Sequence, residues 1–272
     1  MSPLEAATLA GLGVLIGSFG TLIGAGGGFL IVPILLLAYR FAPADAVGTS
    51  LAVVFLNALS GTIAYLRQRR VDLGLGVRFA AATVPGAVAG AYLTRSLSSY
   101  GFSLAFGVLL LAIAGFLLAG RTARPSGRAA ERALVDASGA AHVYRVDAWK
   151  GVLLSLAVGF ASSMFGLGGG IIHVPFLVVV LGLPVHVATA TSHFVLSIST
   201  LIGAGTFFHL GHVKLATAAW LGAGVLAGAQ IGARASLRAS DVVIRRLLAG
   251  ALVVAALRMI AHAVALASAG RP

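Results

Sequence analysis

The sequence predicts an all-α polytopic membrane protein. It is built as two inverted repeats of about five membrane segments each, with Gly-broken hairpins meeting near the midplane. Three observations lead there: the composition, the spacing of charges, and an internal repeat. Of 272 residues, 59% are hydrophobic and 10% are charged, and mean hydropathy is +1.03. Soluble globular chains carry about 25% charged residues, so a soluble enzyme domain and a disordered tail are both excluded. The 36 glycines suit closely packed transmembrane helices.

The charge-free runs set out the elements in order. Between Glu5 and Arg40 lie 34 uncharged residues. One span takes about 20 residues and two take over 40, so the run fits neither. Gly24-Ala25-Gly26-Gly27-Gly28 breaks it, which predicts helices at about 7–23 and 28–40. Further helices are expected at about 46–66, 75–95 and 101–120. The polar stretch Arg121–Ala148 reads as a connector outside the bilayer, partly amphipathic. No Asp, Glu, Lys or Arg lies between Lys150 and Lys214, and the break recurs as Gly166-Leu167-Gly168-Gly169-Gly170. Helices are expected at about 150–165, 170–183, 187–209, 214–234 and 243–267. The chain therefore divides into a membrane repeat at 1–120, a connector at 121–149 and a second repeat at 150–272. No cleavable leader is expected, because no basic segment precedes the first apolar stretch.

The halves match at an offset of 142 residues without insertion. Gly24, Gly26, Gly27 and Gly28 fall on Gly166, Gly168, Gly169 and Gly170. Val32-Pro33 falls on Val174-Pro175, Thr49-Ser50 on Thr191-Ser192, and Gly61 on Gly203. Gly86 and Gly90 fall on Gly228 and Gly232. An odd number of segments per half inverts the second half. One side then collects Arg67, Arg69, Arg70, the connector, Arg234, Arg238, Arg245 and Arg246. The other keeps mainly Arg40, Arg95, Lys214 and Arg271. By the positive-inside rule the connector is expected in the cytoplasm and both termini outside. The net charge of +12 is thereby assigned to orientation and not to nucleic acid. Inverted repeats with interrupted helices in matching places point to a binding site at the repeat interface.

The two breaks carry the chemistry or the packing. Glycine permits positive φ and close backbone approach, and a helix beginning inside the bilayer offers free N–H groups to an anion. The same glycines also suit a tight helix crossing. Gly86/Gly90 and Gly228/Gly232 are assigned to packing. Thr49, Ser50, Thr191 and Ser192 either bind an oxyanion or bond the preceding turn. Asn57, Ser197, Ser199 and Gln230 are weaker candidates for the cavity. No carboxylate lies within the expected helix interiors, which argues against a cation site. His173 and His193 fall on Ile31 and Leu51 in the first half. Each is either a neutral, hydrogen-bonded contact or an anion contact that couples transport to protons. His186 is expected in a loop, with His209 and His212 at a helix end. Cysteine is absent, and no close His/carboxylate cluster suggests a metal. No cofactor is expected.

A duplicated Gly-Xaa-Gly-Gly-Gly-(Xaa)4-Pro element, at Gly24–Pro33 and Gly166–Pro175, resembles the TauE/SafE sulfite exporter family of anion permeases. The likeness covers about 7–120 and 150–262. It implies transport of sulfite, a sulfonate or a related small organic anion across the bacterial inner membrane, by an exporter of about eight spans. The expected site comprises Gly24, Gly26, Gly27, Gly28, Thr49, Ser50 and Asn57 with Gly166, Gly168, Gly169, Gly170, Thr191, Ser192 and His193. The expected partners are a small anion and the lipid bilayer, with a homo-oligomer left open. An intramembrane enzyme and a cation or metal transporter are the alternatives.

Overall fold

The computed structural model describes residues 2–119 and 129–268, and all side chains there except Asp241 and Arg245. Arg121, Arg124, Arg128 and Arg271 lie outside the described residues. The first half contains α1 (Pro3–Leu22), α2 (Gly28–Leu37), α3 (Pro43–Arg67), α4 (Leu73–Thr94) and α5 (Ser99–Leu118). After a hairpin of β1 (Ala130–Val135) and β2 (Ala141–Val146) come α6 (Ala148–Phe165) and α7 (Gly170–Pro175). Then follow α8 (Val185–His209), α9 (Leu215–Ala235) and α10 (Asp241–Ser268). Eight of these helices are long and apolar enough to cross a membrane. Ser2 and Glu5 form a capping box on α1, and Asp72, Ser98 and Asp147 cap α4, α5 and α6. His186 sits in the first turn of α8, not in a loop, because the helix starts at Val185, directly after its N-cap Pro184 and two residues earlier than the apolar pattern suggests.

The two interrupted helices are half-length. The ten residues of α2 rise about 15 Å, half of a hydrocarbon core. Its counterpart ends its α-helical part at Pro175 and continues as one π-helical turn, Phe176–Val180. The wider turn closes with Leu181 N donating to Phe176 O at 3.1 Å.

The connector is where the fold departs from expectation. Residues 130–146 form an antiparallel hairpin, in register from Ala130↔Val146 to Val135↔Ala141. Asp136 holds the turn by accepting from the backbone of Ser138 and Ala140 and from the Ser138 hydroxyl. Those bonds, the Ser138 hydroxyl first, hold its carboxyl well below the usual range against the opposing effect of burial. The hairpin docks on the α3–α4 loop. Arg70 Nε meets Asp136 at 3.3 Å, and Arg132 Nε meets Asp72 at 2.7 Å. Tyr144 also donates its hydroxyl to Asp72 at 2.7 Å. Burial, together with this bond to a carboxylate, pushes the Tyr144 phenol up. Tyr144 and Val146 share an apolar cluster with Leu75, Phe79, Leu177 and Leu181.

The long helices pair mainly across the halves, while α2 and α7 pack on α3 and α8 of their own halves. The main partners are α1 with α9, α4 with α6, α5 with α10 and α3 with α8. Small residues set the approach. A Cβ on Gly86 or Gly90 would strike the carbonyls of Leu156 or Phe160. One on Gly228 or Gly232 would strike those of Val14 or Ser18, the equivalents at the repeat offset. These four glycines are packing residues, as expected. The central pair α3 and α8 runs antiparallel. Gly48 faces Phe207 and His212, while Gly61 faces His193. The start of α1 and the end of α10 lie at one end of the bundle, and the hairpin lies at the other. That follows from Gly13 facing Leu221 and Ser103 bonding His262.

Candidate functional site

The two Gly breaks are pressed against each other at the centre of the bundle. Gly24, Gly26 and Gly27 have φ of 75°, 75° and 87°, and Gly166, Gly168 and Gly169 have 70°, 75° and 96°. A side chain there would be strained in its own backbone. The contact is reciprocal. A Cβ on Gly28 would strike the Gly166 carbonyl, and one on Gly170 the Gly24 carbonyl. Val54 and Leu196, equivalents at the offset, both pack against Gly26 and Gly168. A pseudo-twofold axis therefore passes between the breaks.

The backbone is symmetric but the polar side chains are not. At the first break Asn57, fully buried, donates from Nδ2 to Gly26 O at 3.1 Å. Its Oδ1 accepts from Thr21 Oγ1 at 3.1 Å. Having given its proton to Asn57, Thr21 can only accept from His193 Nε2 at 3.3 Å. Tyr65 closes the group by donating to Thr21 O at 2.7 Å, its ring edge-on to that of His193. His193, contributed by the second half, is thus built into the first break.

At the second break the corresponding groups lack partners. Ser199 stands where the repeat has Asn57, and Ser162 where it has Gly20. The hydroxyls of Ser162, Ser192 and Ser199 are buried without a hydrogen-bond partner. Ser192, Ser199, His173 and Thr83 line a cavity against Gly168, Gly169 and Gly170. It comprises about 160 Å³ of space between atoms, none of it wide enough for a water molecule. Polar groups buried without partners are uncommon and require a reason.

The remaining expected site residues take other places. Ser50 donates to Gly166 O at 2.9 Å, bracing the second break from α3. Thr49 accepts from the backbone of Lys214 and Thr191 from that of Asp72, both at 3.0 Å. Each threonine ties the first part of its helix to the loop before α9 or α4. Ser197 bonds back to Phe194 O, and Gln230 bonds Ser60. Ser192 lines the cavity while its neighbour His193 faces Thr21, as successive residues on a helix point about 100° apart. Among the described residues no three His, Asp or Glu side chains gather as a metal site. At the bundle end opposite the hairpin, Asp45 holds His212 Nδ1 and Lys214 Nζ, each at 2.8 Å. Sequence reasoning missed Ser162, Ser155 and Thr83. The signal available was the substitution pattern at the repeat offset, where Gly20, Gly13 and Val225 stand in the other half.

Comparison with known proteins adds the family. The model of the sulfite exporter TauE/SafE family matches residues 9–259. A probable membrane transporter protein, YunE of Bacillus subtilis, is 35% identical over 82% of this chain and 85% of its own length. Another from Methanocaldococcus jannaschii is 24% identical over 92% and 93%, and one from Xylella fastidiosa 29% over 72% and 69%. No solved structure matches significantly. With eight apolar spans, two opposed Gly breaks and a family match over nearly its whole length, the chain belongs to the TauE/SafE sulfite exporter family of membrane transporters.

Proposed function

We propose that the protein is a secondary transporter or facilitator of a small anion such as sulfite, a sulfonate or a related organic anion, working as an exporter. One observation carries the reading: two Gly breaks abut at the centre of the helix bundle, beside buried hydroxyls without partners and no lining carboxylate. Irregular backbone at membrane depth is tolerated where protein buries it or where it lines a pathway. Hydroxyl and backbone donors suit an anion and repel none. The test is flux in proteoliposomes with sulfite, sulfonates, carboxylates and sulfate. Movement of divalent metals in place of any anion would overturn the reading.

The antiparallel run of α3 against α8 supports inversion of the repeats. The hairpin then lies in the cytoplasm of a bacterial cell, with both termini periplasmic across the inner membrane. Reporter fusions after residues 128 and 240 should read as cytoplasmic and a C-terminal fusion as periplasmic; a cytoplasmic C-terminus would sink the assignment. Access alternates by motion across the pseudo-twofold axis. Because α1 packs on α9 and α4 on α6, the moving bodies draw helices from both repeats and are not the sequence halves.

A further inference from the structure

The cavity at the second break holds an imidazole whose hydrogen position is fixed by its neighbours. Ser155 Oγ donates its one proton to Gly151 O at 2.7 Å. It also lies 3.1 Å from His173 Nε2. With that proton spent, the hydroxyl can only accept, so Nε2 carries the imidazole hydrogen. In neutral histidine Nδ1 is then a bare acceptor. It is buried and has no partner. In the same cavity lining the hydroxyls of Ser192 and Ser199 are likewise buried and unpartnered. No Lys, Arg, Asp or Glu lines the cavity.

Two uncommitted hydroxyls and one uncommitted acceptor form a specific complement. A fully deprotonated oxyanion would satisfy the hydroxyls and press its own lone pairs on Nδ1. An oxyanion that keeps one O–H satisfies both. Charge points the same way, since the self-energy of an ion scales as charge squared and a dianion costs about four times as much to bury as a monoanion. No lining cation offsets that cost. We propose that the cavity lined by His173, Ser192 and Ser199, once widened by separation of the helices around it, recognises a small, singly charged oxyanion that still carries an O–H, of the hydrogensulfite or hydrogenselenite type. The inference rests on the reading of the chain as an anion transporter and narrows its substrate.

The experiment is initial flux through the full-length protein in proteoliposomes, at one fixed acidic pH where hydrogensulfite and hydrogenselenite are singly protonated. Methanesulfonate carries the same single charge with no O–H, and sulfate adds a second charge. The protonated anions should move roughly tenfold faster than either, the discrimination of about one charge-assisted hydrogen bond. His173→Ile installs the residue of the first repeat and should slow the protonated anions until they match methanesulfonate. Ser199→Ala should slow hydrogenselenite and methanesulfonate alike, leaving their ratio unchanged. Methanesulfonate or sulfate moving as fast as hydrogenselenite through the wild type overturns the proposal and leaves anion transport standing. Absence of flux for all four overturns both. If His173→Ile is not monodisperse in detergent, the wild-type panel alone decides.

Discussion

The first Gly break is the better bonded of the two: Asn57 and Thr21 are paired there, although His193 Nδ1 is not, while at the second the hydroxyls themselves lack partners. Both have the same backbone turns, the same reciprocal carbonyl contacts and the same flanking Val-Pro. At the first, Asn57 spans the gap between Gly26 and Thr21, and His193 completes a chain of donors and acceptors. At the second, serine replaces asparagine, and several hydroxyls are left over. Duplication supplied two equal turns. Side-chain divergence makes one a brace and leaves the other with the unpartnered hydroxyls proposed above as a receptor.

The largest expected effect is one in which the breaks should not differ. Gly28→Val and Gly170→Val each drive a side chain into the opposite break's carbonyl. Overpacking backbone against backbone should cost about 3 kcal/mol or more, and size-exclusion chromatography should show neither variant surviving extraction as monodisperse protein. A well-behaved Gly170→Val would break the equivalence of the turns.

The next effect should separate them. Asn57→Ala strands the Gly26 carbonyl and the Thr21 hydroxyl in the core, so thermal unfolding in detergent should reveal a loss of about 1–3 kcal/mol. Ser199→Ala removes a hydroxyl that bonds nothing; its stability should stay within about 0.5 kcal/mol while anion flux falls. Equal destabilisation by both would end the distinction between brace and receptor. The comparison sharpens further with Ser199→Asn. Giving the second break the residue of the first should fill the cavity and stop flux without lowering the melting temperature.

The smallest effect lies away from both breaks. Asp136 is held below its ordinary pKa by hydrogen bonds, so it stabilises the docked hairpin above the unfolded carboxylate value. That contribution is lost as pH falls through the lower, folded value. A spin label at Val143→Cys, in a chain without native cysteine, should gain mobility only at acid pH below the usual carboxylate range. Mobility rising already between about pH 8 and pH 6, with the Asp136 carboxylate still ionised, would overturn this assignment.

Most of this architecture was legible in the sequence. Every expected helix is present, since charge-free runs and Gly breaks report directly on burial in lipid. The hairpin was not, because its alternation is short and its inner residues, Tyr144 and Val146, are balanced by charged neighbours. The roles of Thr49 and Thr191 were hidden for another reason: their partners, Lys214 and Asp72, are far away in the chain and meet them only through the antiparallel crossing. The contrast between the breaks could have been read by setting Asn57 against Ser199 and Gly13 against Ser155. It was missed because likeness at the repeat offset draws the eye to what matches.

The crosswise pairing of helices also fixes an order of events at the ribosome. Gly13 of α1 packs against Gly224 of α9, 211 residues later. At ordinary elongation rates α1 waits roughly 10–40 s in the bilayer before its partner is synthesised. During that interval its glycine-lined groove faces lipid or a membrane chaperone, and the first five helices cannot settle into a finished unit. Truncated chains ending before α9 should therefore be recognised as unassembled and degraded. Two separately encoded halves should accumulate only when made together, each acting as the missing face of the other.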